Sequence, residues 1–159
     1  MKDNALLRQH LQRLLEWEDA HVGYDTAVTG IPAELRGKRP PGLPHSPWEI
    51  LEHLRLTQQD ILDFCINPAY EQRAWPDDYW PDSAAPPSAK AWDESIRRFR
   101  EDRKALQKLA GDPKLDLEAK IPHGSGQTYL RELVLVADHS AYHIGQLVLT
   151  RRLLGAWKK

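Results

Sequence analysis

Residues 137–146 read Ala137-Asp138-His139-Ser140-Ala141-Tyr142-His143-Ile144-Gly145-Gln146, and the reading of this stretch decides the fold. Its apolar residues recur at helical spacing within a segment that runs from a Thr128 cap to about Leu154, just before Gly155. Leu130, Val134, Ala137, Ala141, Ile144 and Val148 form one apolar stripe. Nearly opposite lie His139 and His143 with Glu132, Gln146 and Thr150, flanked by Leu135, Val136, Leu147, Leu149 and Leu153. Apolar residues on almost every face mark a helix buried on several sides. One face is expected to pack on other helices, and another to line a pocket or meet a second subunit.

Working outward, three more segments carry helical periodicity, and none shows sustained strand alternation. The first opens at Asp3 or Asn4 and is expected to reach about Val28, with Leu7, Leu11, Leu14, His21 and Asp25 on its inner face and Gly23 weakening its last turns. The second has clear start chemistry: Ser46 as N-cap, Pro47 at the first helical position and Glu49 where a capping box needs it. It ends at about Ile66, before Asn67-Pro68. The third runs from the Ser88 cap to about Ala110, and its density of Arg, Lys, Glu and Asp predicts a largely solvated surface. Between these segments lie three irregular stretches. Gly30 to Pro44 is expected to be a loop with one turn at Ala33 to Arg36; Asp112 to Gln127 is the last. Asn67 to Pro87 is long for a connection inside a compact domain, and Trp75, Tyr79 and Trp80 argue that it packs down or forms a lid rather than being disordered. Four long helices with irregular connections predict an all-α, four-helix-bundle domain spanning 1–159.

The chain has 159 residues, with 22 Lys+Arg against 23 Asp+Glu. That balance, and the lack of any basic stripe, argue against a nucleic-acid partner. No apolar run approaches a bilayer span and the N-terminus lacks a signal-peptide pattern, so the expectation is a soluble cytoplasmic protein with no membrane partner. The lone cysteine, Cys65, reads as a small core residue in a reducing compartment.

Four residues apart on a helix, His139 and His143 project from one side, one turn above the other, so two imidazoles can share one divalent ion. His53 lies on the inward face of the second helix with Ile50, Leu54, Thr57, Ile61 and Phe64. Each histidine alone also reads as a core residue hydrogen-bonded to a neighbour. Together they make a candidate metal site of three neutral imidazoles with open positions. Glu49, one turn from His53, is the candidate catalytic proton shuttle, although the capping box already employs it. His21 is a candidate further ligand or substrate contact, and Gln146, one turn beyond His143, a candidate partner of a ligand. His45, His123 and His10 read as solvated loop or terminal histidines, with His123 able to fold over the site.

Two motifs resemble the DinB-like family: Ser46-Pro47-Trp48-Glu49-Ile50-Leu51-Glu52-His53-Leu54, and Asp138-His139-Ser140-Ala141-Tyr142-His143-Ile144-Gly145-Gln146-Leu147. The resemblance implies a bundle with a long crossover and a divalent metal held by three histidines, here His53, His139 and His143. It also implies homodimers and a relation to thiol-dependent S-transferases. Imidazole ligands do not select one ion; Zn or Ni is expected first, with Fe, Co or Mn as others. Three functional readings stand at this point. The first is a metal-dependent enzyme of the S-transferase, isomerase or hydrolase type acting on a small molecule with a low-molecular-weight thiol. The second is a non-catalytic metal-binding stress protein, and the third a metal-free dimeric interaction module.

Overall fold

The computed structural model describes residues 4–16 and 18–157. Asp3, one of the two expected N-caps, lies outside the described residues. Five α-helices occur among the described residues: α1 (Ala5–Leu14), α2 (Tyr24–Val28), α3 (Pro47–Ile66), α4 (Ala89–Gly111) and α5 (Tyr129–Leu153). Short 3-10 turns cover Ala33–Leu35 and Asp77–Tyr79, and among the described residues no strand is present beyond an isolated bridge between Lys120 and Thr128.

α3 starts where its local chemistry requires. The Ser46 hydroxyl accepts from Glu49 N–H, the Glu49 carboxylate accepts from Ser46 N–H at 2.8 Å, and Pro47 holds the first helical position. Ser88 and Thr128 cap α4 and α5 through their side chains. α5 ends in a Schellman arrangement: Gly155 takes φ 69°, its N–H donates to Arg152 O, and Ala156 N–H donates to Arg151 O.

The expected first helix is in fact two. It breaks after Leu14, and the chain restarts as α2 at Tyr24. The cause is tertiary. Asp25 is drawn to α4, where Arg100 Nε and Arg103 Nη2 meet its two oxygens at 2.6 and 2.8 Å. The Arg151 guanidinium, from α5, donates to the carbonyls of Thr26 and Ala27, supplying partners that the end of a one-turn helix lacks. A continuous helix would carry Asp25 away from both groups. α1 is bound to α4 and the segment after it by Arg8, which donates to the carbonyls of Ala110 in α4 and Leu115 beyond it, and by reciprocal bonds between Gln12 and Gln107.

α3 packs against α4 and α5, α1 against α4 and α5, and α2 against α5. Two apolar clusters result. One gathers Trp48, Leu51 and Leu54 of α3, Trp92 and Phe99 of α4, Ile144 and Leu147 of α5, and Tyr24 of α2. The other gathers Leu11, Ile61, Leu62, Cys65, Leu106, Leu133 and Val136. Cys65 is a core residue whose thiol burial pushes up to about 12. α5 contributes 133 and 136 to one cluster and 144 and 147 to the other, so His139 and His143 fall at the level between them.

The α5 stripe expected from periodicity is not a buried face as a whole. Ala137, Ile144 and Val148 are buried, but Val134 and Ala141 are exposed. Burial instead includes the side that carries His143, Leu147 and Thr150, because α3 packs there. On an all-round apolar helix, periodicity lacks the contrast to choose between faces.

The two long loops meet above the start of α3. Ser46 Oγ donates to Ala84 O, Trp48 N–H donates to Arg36 O, and Gly37 lies so close to Ala85 that an added Cβ would sit 2.4 Å from the alanine Cβ. Gly37 is therefore required by close approach.

Candidate metal centre

His53, His139 and His143 come together, with one ligand atom of each lying within 4.8 Å of the others. His53 Nε2 is 3.1 Å from His143 Nε2 and 3.0 Å from His139 Nε2. Two nitrogens bound to one ion by bonds of about 2.1 Å lie about 3.0–3.4 Å apart for ligand angles from about 90° to tetrahedral, so these spacings fall at the short end of shared coordination.

The outer nitrogens decide where the protons sit. His53 Nδ1 lies 2.7 Å from the carbonyl oxygen of Tyr79, which can only accept, so Nδ1 carries the hydrogen and Nε2 is a bare lone pair. His143 Nδ1 likewise donates to Gln146 Oε1 at 2.8 Å, three residues along α5. Its Nε2 is bare too. Only His139 is free of such a constraint, because its Nδ1 is buried without a partner. One proton on His139 Nε2 can satisfy His53, but the contact between His53 and His143 then remains lone pair against lone pair. A shared cation removes that conflict, and three bare imidazole nitrogens are a donor set suited to a divalent transition metal.

The environment keeps the rings neutral. Burial, followed by the positive charge that His143 and His53 would carry, pushes His139 down to about 3. Burial and His53 push His143 down to about 4, with the Gln146 bond opposing. His53 is lowered mainly by burial, against the Tyr79 bond. Neutral imidazole is the form that ligates.

The loop of residues 67–87 packs onto this cluster. The Trp80 indole stacks on the His53 ring with centroids 3.9 Å apart and planes 3° from parallel, also stacks on His45 at 4.0 Å, and meets His143 edge-on at 6.1 Å. Tyr79, buried, donates its hydroxyl to Asp60 Oδ2 at 2.8 Å. Trp75, by contrast, is 70% exposed, so the three aromatics do not act as one lid.

Other candidates separate. Gln146 meets the cluster through His143. Glu49 is buried, with its oxygens engaged by Arg39 and by Ser46 N–H. Burial raises its pKa, but the Arg39 and Ser46 bonds outweigh burial and hold it below the usual carboxylate range. His21 is not on the inner face of a helix; it is exposed in the connection between α1 and α2, its Nδ1 bonded to Val22 O. The helix break moved it out of register. His123 lies on α3's far end, its Nε2 2.8 Å from Phe64 O, and His10 is exposed. His45, expected to be solvated, is half-buried against Trp80, and its Nδ1 is shut from solvent without a partner. The available signal was the aromatic content of the 67–87 loop, but nothing local in the sequence pairs that loop with residue 45.

Comparison with curated proteins and with solved structures returned no match. A family model, that of the DinB superfamily, matches residues 16–147, a span that contains both sequence motifs and all three clustered histidines. This chain belongs to the DinB superfamily.

Proposed function

We propose that the protein binds one divalent metal ion through the Nε2 atoms of His53, His139 and His143, and that the centre serves an enzyme acting on a small molecule. The carrying observation is the pair of bare nitrogens of His53 and His143 facing each other at 3.1 Å, each stripped of its proton by an acceptor on its outer edge. Three protein ligands leave a position for substrate, the pattern of catalytic rather than structural sites. When bound, such an ion supplies Lewis acidity to a thiol or a carbonyl. The chain's own residues hold three ligands neutral, orient two of them and cover one face with Trp80. Membership of the DinB superfamily directs the reaction class toward thiol transfer, thiol-assisted isomerisation or hydrolysis, with a low-molecular-weight thiol as partner. Zn or Ni is the expected ion.

Helices α1, α3, α4 and α5 are inferred to form a single four-helix bundle, with the loops 29–46 and 67–88 as its longer connections. A homodimer is proposed through α5, where Val134, Tyr142, Leu149 and Leu153 are 45–64% exposed on one face with Ala141 and Gly145. No helix among the described residues is long and apolar enough to cross a membrane.

Two measurements test this reading. Protein purified without a histidine tag should carry close to one metal per chain, falling sharply in His139→Ala; substoichiometric metal unchanged by that substitution refutes the metal centre. A screen of low-molecular-weight thiols with electrophilic acceptors should give turnover above a His53→Ala control. Stoichiometric metal without turnover supports the non-catalytic reading, which the cover of Trp80 over His53 favours as the second choice. The metal-free module leaves the facing lone pairs unexplained.

A further inference from the structure

The loop after α3 returns to that helix at two points through one residue. Tyr79 donates its hydroxyl to Asp60 at 2.8 Å, and its main-chain carbonyl accepts from His53 Nδ1 at 2.7 Å. His53 and Asp60 lie seven residues apart on α3, two turns on the same face. Tyr79 therefore lies along the helix as a strut, fixed by its ring at one end and its backbone at the other. Its N–H donates to Pro76 O within the 3-10 turn, which limits how the carbonyl can swing. Asp60 is buried and gathers further groups from the same loop, accepting from the Tyr70 hydroxyl at 3.1 Å and facing Arg73 Nε at 3.6 Å. Burial and the Asp60 carboxylate push both phenols up, so both stay protonated donors. Asp60 has no hydrogen bond to any of the three histidines among the described residues.

We propose that Asp60 and Tyr79 are positioning residues for His53, holding a carbonyl against its Nδ1 so that its Nε2 lone pair faces His139 and His143. The proposal rests on the metal-ligand reading above and deepens it. A neutral imidazole without such an acceptor distributes its proton over both nitrogens, and a proton on Nε2 blocks ligation. An acceptor fixed against Nδ1 disfavours that tautomer, as the Tyr79 carbonyl does for His53 and Gln146 Oε1 for His143. The Trp80 stack on His53 and the 3-10 turn hold the loop near the ring, and the phenol–carboxylate bond adds the anchor on α3 that sets where the Tyr79 carbonyl lies along the helix. Partners of this kind on ligating histidines typically change metal affinity by about 10–100-fold.

Three variants separate the roles. Tyr79→Phe keeps ring and carbonyl and removes only the hydroxyl; Asp60→Ala removes the acceptor; Asp60→Asn keeps one acceptor oxygen. In metal-free protein, imidazole ¹⁵N shifts report the tautomer of each histidine. Tyr79→Phe and Asp60→Ala should move His53 from the Nδ1–H form to a mixture and leave His143, held by Gln146, unmoved, while Asp60→Asn stays near wild type. With Zn(II) alone as probe, the first two variants should bind about tenfold more weakly. A wild-type His53 tautomer in both variants overturns the proposal, as does an equal change at His143, which marks general loosening. Zn(II) affinity unchanged in Tyr79→Phe overturns it as well. If Asp60→Ala fails to fold, Tyr79→Phe decides alone. Wild-type protein that binds no Zn(II) refutes the metal centre, and the tautomer measurement then still decides the strut.

Discussion

Replacing His139 with Ala should have different effects with and without metal, and the difference is calculable. In the metal-free protein His139 Nδ1 is buried with no partner. An unsatisfied buried polar atom costs about 1–3 kcal/mol, so removing it returns an amount similar to what the lost packing of a half-buried ring takes away. Metal-free stability should stay within about 1 kcal/mol of wild type. Metal changes the comparison. A ligand at a hundredfold excess over its Kd stabilises the native state by about 2.7 kcal/mol. For 159 residues, at about 2.1 cal/mol/K per residue, the unfolding entropy is roughly 330 cal/mol/K, giving a rise in Tm of about 8 °C. His139→Ala leaves two ligands, and at the same metal concentration the rise should fall below about 2 °C. Calorimetry of both proteins with and without Zn(II) or Ni(II) makes the comparison. An undiminished shift in the variant, or none in wild type, refutes the reasoning. A metal-free loss above about 3 kcal/mol would mean that the ring serves packing first.

Three further outcomes are expected. Stability of the metal-free protein should be flat down to about pH 6.5 and then fall, because the unfolded chain protonates His139 and His143 from their ordinary value of 6.5 while the folded chain refuses those protons until about pH 3 and 4. The slope approaches about 1.4 kcal/mol per pH unit for each ring, and the fall in urea midpoints from about pH 7.5 to 5 should shrink when both are replaced by Ala, leaving the part due to His53, which burial also lowers. Phe99→Ala, which removes a ring 1% exposed and stacked on Tyr24 at 3.8 Å, should cost about 3–5 kcal/mol in urea unfolding. Glu49→Gln should lower stability by about 1 kcal/mol through the cap and the Arg39 pair, with Zn(II) affinity unchanged; turnover lost at unchanged stability would instead establish proton transfer by this residue.

What could be read in the sequence was whatever local chemistry determines. The start of α3 is written in Ser46, Pro47 and Glu49, whose partners lie within three residues, and its structure follows the expectation closely. His139 and His143 were legible for the same reason, since four-residue spacing fixes their common side. The break before α2 was not, because it depends on Arg100, Arg103 and Arg151 reaching Asp25 and the α2 carbonyls from more than seventy residues away. Nor was the stack of His45, Trp80 and His53, which three separate segments assemble. The buried side of α5 also required knowing where α3 lies, as Val134 and Ala141 show.

The His53 ring is held from three sides: one edge by the Tyr79 carbonyl, the opposite edge by the other two imidazoles, and a face by the Trp80 indole. Ligation uses the plane of the ring, whereas stacking uses the axis normal to it. An ion arriving at Nε2 thus meets a ring whose rotational freedom was surrendered when the chain folded, and its arrival need not disturb the indole. Trp80 can stay seated while the ion exchanges.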